Sequence, residues 1–137
     1  MTSLIVDASV AIKWFVAEED SELAQRVLVA PVELWAPNLL RLEIANGMWK
    51  NWRKQLASTQ QVRGAIAALD RTIGAWHDSA SLLDAAMNLA LALNHGIYDC
   101  TYLALAQASA VPVITADKRL VAIAPKGLAI ALADWRR

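Results

Sequence analysis

Short runs rich in β-branched residues alternate with longer stretches of helical pattern along this chain. That alternation restricts the fold more than any other feature of the sequence. Leu4–Val6 and Val111–Thr115 read as buried strands, Leu128–Leu132 as a last strand, and Glu33–Ala36 and Thr72–Trp76 as short ones, the last interrupted by Gly74. Between them, helices are expected over Ala8–Phe15, from Ser21 to about Val29, and from an Asn38 cap to Lys54. Further helices should run from the capping box Ser58–Gln61 towards Asp70, from Ser81 with Asp84 to about Asn94, over Tyr98–Ala110 after Gly96, and over Lys118–Ala124. Strands alternating with helices form a parallel sheet covered on both faces, here an α/β fold with about four to five strands. In such a sheet, right-handed crossovers bring every strand's carboxyl end to one edge, where ligands bind.

The length of 137 residues suits one domain, 1–137, with a real core. Net charge is zero, so no global basic field attracts nucleic acid, although local basic patches around an acidic pocket remain compatible with a nuclease. A single Cys rules out an internal disulfide framework and suits a reducing compartment. The start, Met1-Thr2-Ser3-Leu4-Ile5-Val6-Asp7, lacks the basic and long apolar regions of a signal peptide, and no apolar run is long enough to span a bilayer. A cytoplasmic protein with no membrane partner is expected. Hydrophobic residues make up 57% of the chain, inflated by 27 alanines, and six Trp are hard to bury in one small core. A second subunit or a partner chain is expected to cover some of that surface.

Four carboxylates mark the ends of apolar stretches or lie within them. Asp7 ends Leu4-Ile5-Val6, Asp117 follows Val113-Ile114-Thr115, Asp99 opens the segment from Tyr98, and Glu43 lies inside Asn38–Ile44. Carboxylates beside a core need a cationic partner, and no Lys or Arg recurs beside all four. A hard divalent cation held by oxygen, Mg²⁺ with Mn²⁺ able to substitute, is the economical partner. Metal-dependent phosphate chemistry is therefore the leading reading. His77 and His95 have no spacing that suggests zinc.

Four segments together resemble the PIN domain, and most closely the VapC-type ribonuclease toxins of prokaryotic toxin–antitoxin pairs. They are Ile5-Val6-Asp7-Ala8-Ser9-Val10, Pro37 through Glu43 to Asn46, Tyr98-Asp99-Cys100-Thr101-Tyr102-Leu103-Ala104-Leu105-Ala106, and Thr115-Ala116-Asp117. The resemblance runs essentially end to end and implies a three-layer α/β fold, divalent-metal-dependent endoribonuclease activity on RNA, and an antitoxin that binds and inhibits. It maps the catalytic quartet onto Asp7, Glu43, Asp99 and Asp117, and polar supporting positions onto Ser9, Asn46 and Thr115. Asp7 and Asp99, expected near the cleft floor, are the direct metal ligands of this reading. Asp117 and Glu43 would complete the shell or orient water. A homodimer and a toxin–antitoxin hetero-oligomer are the implied assemblies. Cys100 replaces a frequent Ala, a small-for-small exchange. Lys118-Arg119 stands where some PIN nucleases carry another acid, which argues against a tightly held second metal and offers cations for substrate phosphate.

Plainer readings exist for each feature. Asp7, Asp99 and Asp117 could all be helix caps, and Glu18, Glu19 and Asp20 a solvated helix start. Trp49-Lys50-Asn51-Trp52-Arg53-Lys54 could be an RNA platform, but packing of its Trp residues at a helix end is favoured. Gly47 would admit a close neighbour, fitting a dimer contact. Two rival functions are a PIN-fold partner-binding module without catalysis and a receiver-like phosphoacceptor domain. The four carboxylates oppose the first, and the lack of a phosphoacceptor Asp on a middle strand opposes the second.

Overall fold

The computed structural model describes residues 2–136. Its centre is a five-stranded, all-parallel sheet in the order β3-β2-β1-β4-β5, formed by β1 (Thr2–Val6), β2 (Val32–Pro37), β3 (Ala75–His77), β4 (Val113–Thr115) and β5 (Ala129–Ala131). The upper end of the expected strand count is thus realised. Seven α-helices connect and cover the strands: α1 (Ala8–Ala11), α2 (Ser21–Val29), α3 (Leu39–Arg53), α4 (Thr59–Thr72), α5 (Leu83–Leu93), α6 (Ile97–Ser109) and α7 (Lys118–Ile123). The chain steps from β1 to β3 in one direction and returns to β4 and β5 in the other. Right-handed crossovers consequently place α1–α4 on one face and α5–α7 on the other.

β1 lies at the centre, paired with β2 through Leu4–Leu34 and Ile5–Trp35 and with β4 through Ile5–Val113 and Val6–Ile114. A strand flanked on both sides and covered on both faces must be apolar throughout, and Leu4, Ile5 and Val6 are all buried. Ile5, Leu40, Ile44, Met48, Ile114 and Tyr102 are fully buried in the main core, each aliphatic side chain contributing about 1.5–3 kcal/mol. In α6, Cys100 to Ala106 are buried without a break, because α5 covers it as well as the sheet. Cys100 packs with Ala86 and Ala104, so its small side chain fits where an alanine would.

Several helix and strand boundaries fall elsewhere than the sequence predicts. Thr72 closes α4 instead of opening a strand: its Oγ1 donates to the Ala68 carbonyl at 2.7 Å, a bond that makes a β-branched residue acceptable in the last helical turn. The third strand therefore begins later, at Ala75. Asn38 has helical angles and does not cap α3; Ser79, distant in sequence, accepts the Leu39 N–H at 2.9 Å. Ser81 likewise does not cap α5. It donates to the Asp78 carbonyl within a 3₁₀ turn, Ala80–Leu82, that precedes the helix. The first predicted helix stays α-helical only to Ala11 and tightens to 3₁₀ geometry over Ile12–Trp14. The Ser58–Gln61 capping box is present in both directions. At Gly47, a Cβ would lie 3.0 Å from Ile12 Cδ1, so contact within the chain already explains this glycine.

None of the six Trp is fully buried; Trp14, Trp35, Trp76 and Trp135 are partly covered, and Trp49 and Trp52 are each 47% exposed. The packing favoured for the Trp49–Lys54 stretch is thus not supplied by this chain alone.

Candidate active site

The strand order reverses between β1 and β4, and both of these strands deliver an aspartate to the same edge. Asp7 follows β1 directly, its N–H donating to the Ile114 carbonyl of β4 at 3.4 Å. Its Oδ1 accepts from the Ser9 hydroxyl at 2.6 Å, the Ser9 N–H at 3.1 Å and the Val10 N–H at 3.3 Å. The capping reading is therefore correct for Asp7, yet capping alone does not require a carboxylate only 4% exposed. Burial is the main cause that pushes this carboxyl from 3.8 up to about 6. Hydrogen bonds from Ser9, Thr115 and Val10 oppose the rise, and the charge of Asp99 adds to it. Oδ1 is thereby fixed by three hydrogen bonds from the first turn of α1.

Asp117 also caps a helix, accepting from Arg119 N–H at 2.9 Å and Leu120 N–H at 3.3 Å. A chain of polar groups ties it to Asp7. The Asp117 N–H donates to Thr115 Oγ1 at 3.0 Å, Thr115 Oγ1 lies 3.2 Å from Ser9 Oγ, and Ser9 Oγ bonds Asp7 while accepting the Ala116 N–H at 2.9 Å. Ser9 and Thr115 thus clamp the ends of β1 and β4 together.

Glu43 comes from α3 and is partly buried. The Tyr102 hydroxyl donates to its Oε1 at 2.6 Å. Burial raises the Glu43 carboxyl, the Tyr102 bond counters it, and Asp99 raises it further; Tyr102 is held well above its ordinary value by burial and by the same carboxylates. Asp99 occupies the first turn of α6 and accepts no capping bond; its Oδ2 lies 2.7 Å from His95 Nε2. The charge of Asp99 acts on Asp7, Glu43, Cys100 and Tyr102, which makes it the electrostatic centre of the cluster. The charge of Asp99 thus reaches both Asp7 and Glu43, and Asp117 is joined to Asp7 through Ser9 and Thr115. Asn46 is exposed on α3, one turn beyond Glu43, and Lys118 and Arg119 are exposed beside Asp117.

Two side chains that bond the candidate carboxylates escaped the sequence reading. His95, judged only as a zinc ligand, is the partner of Asp99, and the interval of four residues between them is the signal that could have shown it. Tyr102 is separated from Glu43 by 59 positions, and nothing local announces that bond.

Among the described residues, no three His, Cys, Asp or Glu side chains converge tightly enough to cage a metal by themselves. The donor chemistry nevertheless suits Mg²⁺, which keeps several waters and takes only one or two carboxylates. Asp7, Glu43 and Asp99 have no Lys or Arg partner among the ion pairs.

The sequence profile of the PIN domain matches residues 4–126. The chain belongs to the PIN-domain family. Ribonuclease VapC3 of Pyrobaculum aerophilum is 36% identical over 121 residues, covering 85% of this PIN domain and 91% of the relative. The solved structure of Mycobacterium tuberculosis VapC20, a sarcin-ricin loop cleaving toxin, superposes with a TM-score of 0.70 at 17% identity, over 87% of this chain and 93% of that one. VapBC2 from Rickettsia felis, solved with a DNA fragment from its promoter, gives 0.69 at 12% identity, over 95% and 98%. These two share the PIN fold with this chain. Family membership removes the receiver-like reading.

Proposed function

We propose that this PIN domain is a divalent-metal-dependent endoribonuclease and the toxin of a toxin–antitoxin pair. One observation carries the proposal: at the sheet's switch point the charge of Asp99 on α6 acts on Asp7 after β1 and on Glu43 of α3, and among the described residues no Lys or Arg pairs with any of the three. The names of its relatives, ribonucleases and a toxin, support the substrate class and the role.

Asp7 and Asp99 would hold Mg²⁺, with Mn²⁺ able to substitute. When bound, the ion polarises the scissile phosphate and lowers the pKa of its water. Ser9 and Val10 orient Asp7 by fixing Oδ1. Tyr102 fixes Glu43 Oε1, and the raised Glu43 carboxyl is poised to position a water and exchange a proton with it. Asp117, held by the first turn of α7, completes the cluster from the β4 side.

Two exposed apolar surfaces support assembly with an antitoxin and a second copy. Leu83, Met87 and Leu91 form an exposed stripe at four-residue intervals on α5. Trp49, Trp52, Val62 and Ile66 line a groove of about 420 Å³ between α3 and α4.

The purified chain should cleave RNA with Mg²⁺ or Mn²⁺. Asp7→Asn and Asp99→Asn should fold and abolish cleavage, and EDTA should stop the intact chain. Full cleavage in EDTA would overturn the metal mechanism. Expression without the antitoxin should arrest growth, and Asp117→Ala should relieve the arrest; unaffected growth at confirmed soluble expression would refute the toxin role.

A further inference from the structure

We infer that the carboxyl-terminal half of α3 is a phosphate track along which RNA runs to or from the acidic cluster, an inference that rests on the nuclease reading. Lys50 follows Glu43 by seven residues on α3, and Lys54, eleven residues on, is the residue that caps the helix, its N–H still donating to the Lys50 carbonyl at 3.2 Å. At ~100° per residue both fall within about 20° of the direction of Glu43, and at ~1.5 Å per residue they lie about 10 and 16 Å along the axis from it. Arg53 joins them, and the three line a shallow recess of about 290 Å³.

These cations are free to bind. Among the described residues, ion pairs engage Lys13, Arg26 and Arg41, but none of Lys50, Arg53 and Lys54. None of the three donates a side-chain hydrogen bond; the Arg53 guanidinium lies 5.0 Å over the Trp49 ring, which restrains it without neutralising it. The macrodipole explains cations in a last helical turn, but not why Lys50 and Lys54 share the side of Glu43.

The chemistry also calls for such a track. A cluster of carboxylates repels a polyanion, and this chain has no net positive charge to offset that. RNA must be gripped through phosphates beside the reacting one, and a row of unpaired cations leading away from Glu43 along α3 to its cap meets that need.

Fluorescence anisotropy of a short labelled single-stranded RNA of mixed sequence tests this, with the full-length chain in EDTA so that binding is read without cleavage. Lys50→Gln with Lys54→Gln should weaken binding roughly tenfold at low salt and reduce the slope of log affinity against log salt by about 1.4, since each lost phosphate contact removes ~0.7. Both side chains are exposed, so the thermal melt should not move. Arg26→Gln, on α2 and paired with Glu22, should leave affinity and slope unchanged. Unchanged affinity and slope in the double variant would overturn the track. A shift in oligomeric state with RNA binding intact would overturn it in favour of a protein contact. An intact chain that binds RNA through these lysines yet never cleaves it with Mg²⁺ or Mn²⁺ would refute the nuclease reading and leave the track standing.

Discussion

Asp7 provides a test that needs no substrate. Its carboxyl titrates at about 6 in the fold against 3.8 as a free side chain, chiefly because burial penalises the charged form. Below pH 3.8 the group is protonated in both the folded and unfolded chain and costs nothing. As pH rises towards 6 the unfolded chain ionises first, and the metal-free fold loses stability until Asp7 ionises there too. At 1.36 kcal/mol per pH unit the full penalty is about 3 kcal/mol. For a chain of this size that corresponds to a melting temperature lower by about 10 °C. Asp7→Asn removes the titration, so the gap between variant and wild type should open between pH 4 and pH 6 and stay constant above. Comparing the two proteins cancels the contribution of other carboxylates to acid unfolding.

A divalent cation closes most of that gap. Bound at Asp7 and Asp99, Mg²⁺ or Mn²⁺ at a hundred times its dissociation constant adds about 2.7 kcal/mol to the wild type and little to the variant. Melts by circular dichroism at several pH values, in EDTA and in MnCl₂, provide both comparisons. A wild type that tracks Asp7→Asn from pH 4 to 7 in EDTA would refute the buried-carboxylate argument. A melt at pH 7.5 indifferent to both cations would refute the metal site.

Other perturbations separate positioning from packing. Tyr102→Phe removes the donor to Glu43 and should cost about 1–2 kcal/mol in urea unfolding, with slower cleavage, because the carboxylate loses a bond it cannot fully replace from solvent. His95→Ala should reduce Mn²⁺ affinity or cleavage about 10–100-fold, with partial rescue by His95→Gln, since Asp99 loses the group that fixes Oδ2. Trp49→Ala with Trp52→Ala should leave the melt of the isolated chain within about 1 kcal/mol, because both rings are half exposed, while binding of the antitoxin or a second copy falls; titration calorimetry and light scattering distinguish the outcomes.

What the sequence revealed, it revealed through local chemistry. β1 and β4 were legible because a fully covered parallel strand must be apolar at every position, and the aspartates that follow them were legible because apolar runs rarely end in unpaired carboxylates. Ser58 and Gln61 satisfy each other within four residues, so their capping box could be read directly. Asn38 and Ser81 carried the same local signal and failed. The α3 cap arrives from Ser79, 40 positions away, and Ser81 is used by the turn before α5. Thr72 and Ile73 read as strand by residue type, but a side-chain bond to Ala68 kept the helix going.

The candidate site divides along the same line. Each carboxylate could be found alone, but bringing them to one edge depends on α3 and α6, from opposite faces of the sheet, both reaching the end of β1, a fact of topology with no local trace. Tyr102 shows the difference most clearly. In sequence it is one more apolar position of an alanine-rich helix; in the fold, its hydroxyl is the one donor among the described residues that reaches Glu43. The capping and catalytic readings of Asp7 and Asp117 also turn out not to compete. A cap fixes the carboxylate against two backbone N–H groups, and a carboxylate held in place is what a weakly held hard cation needs. The four-residue α1 and six-residue α7 are short enough to depend on their caps, so the same hydrogen bonds hold the helix starts and the two carboxylates of the cluster.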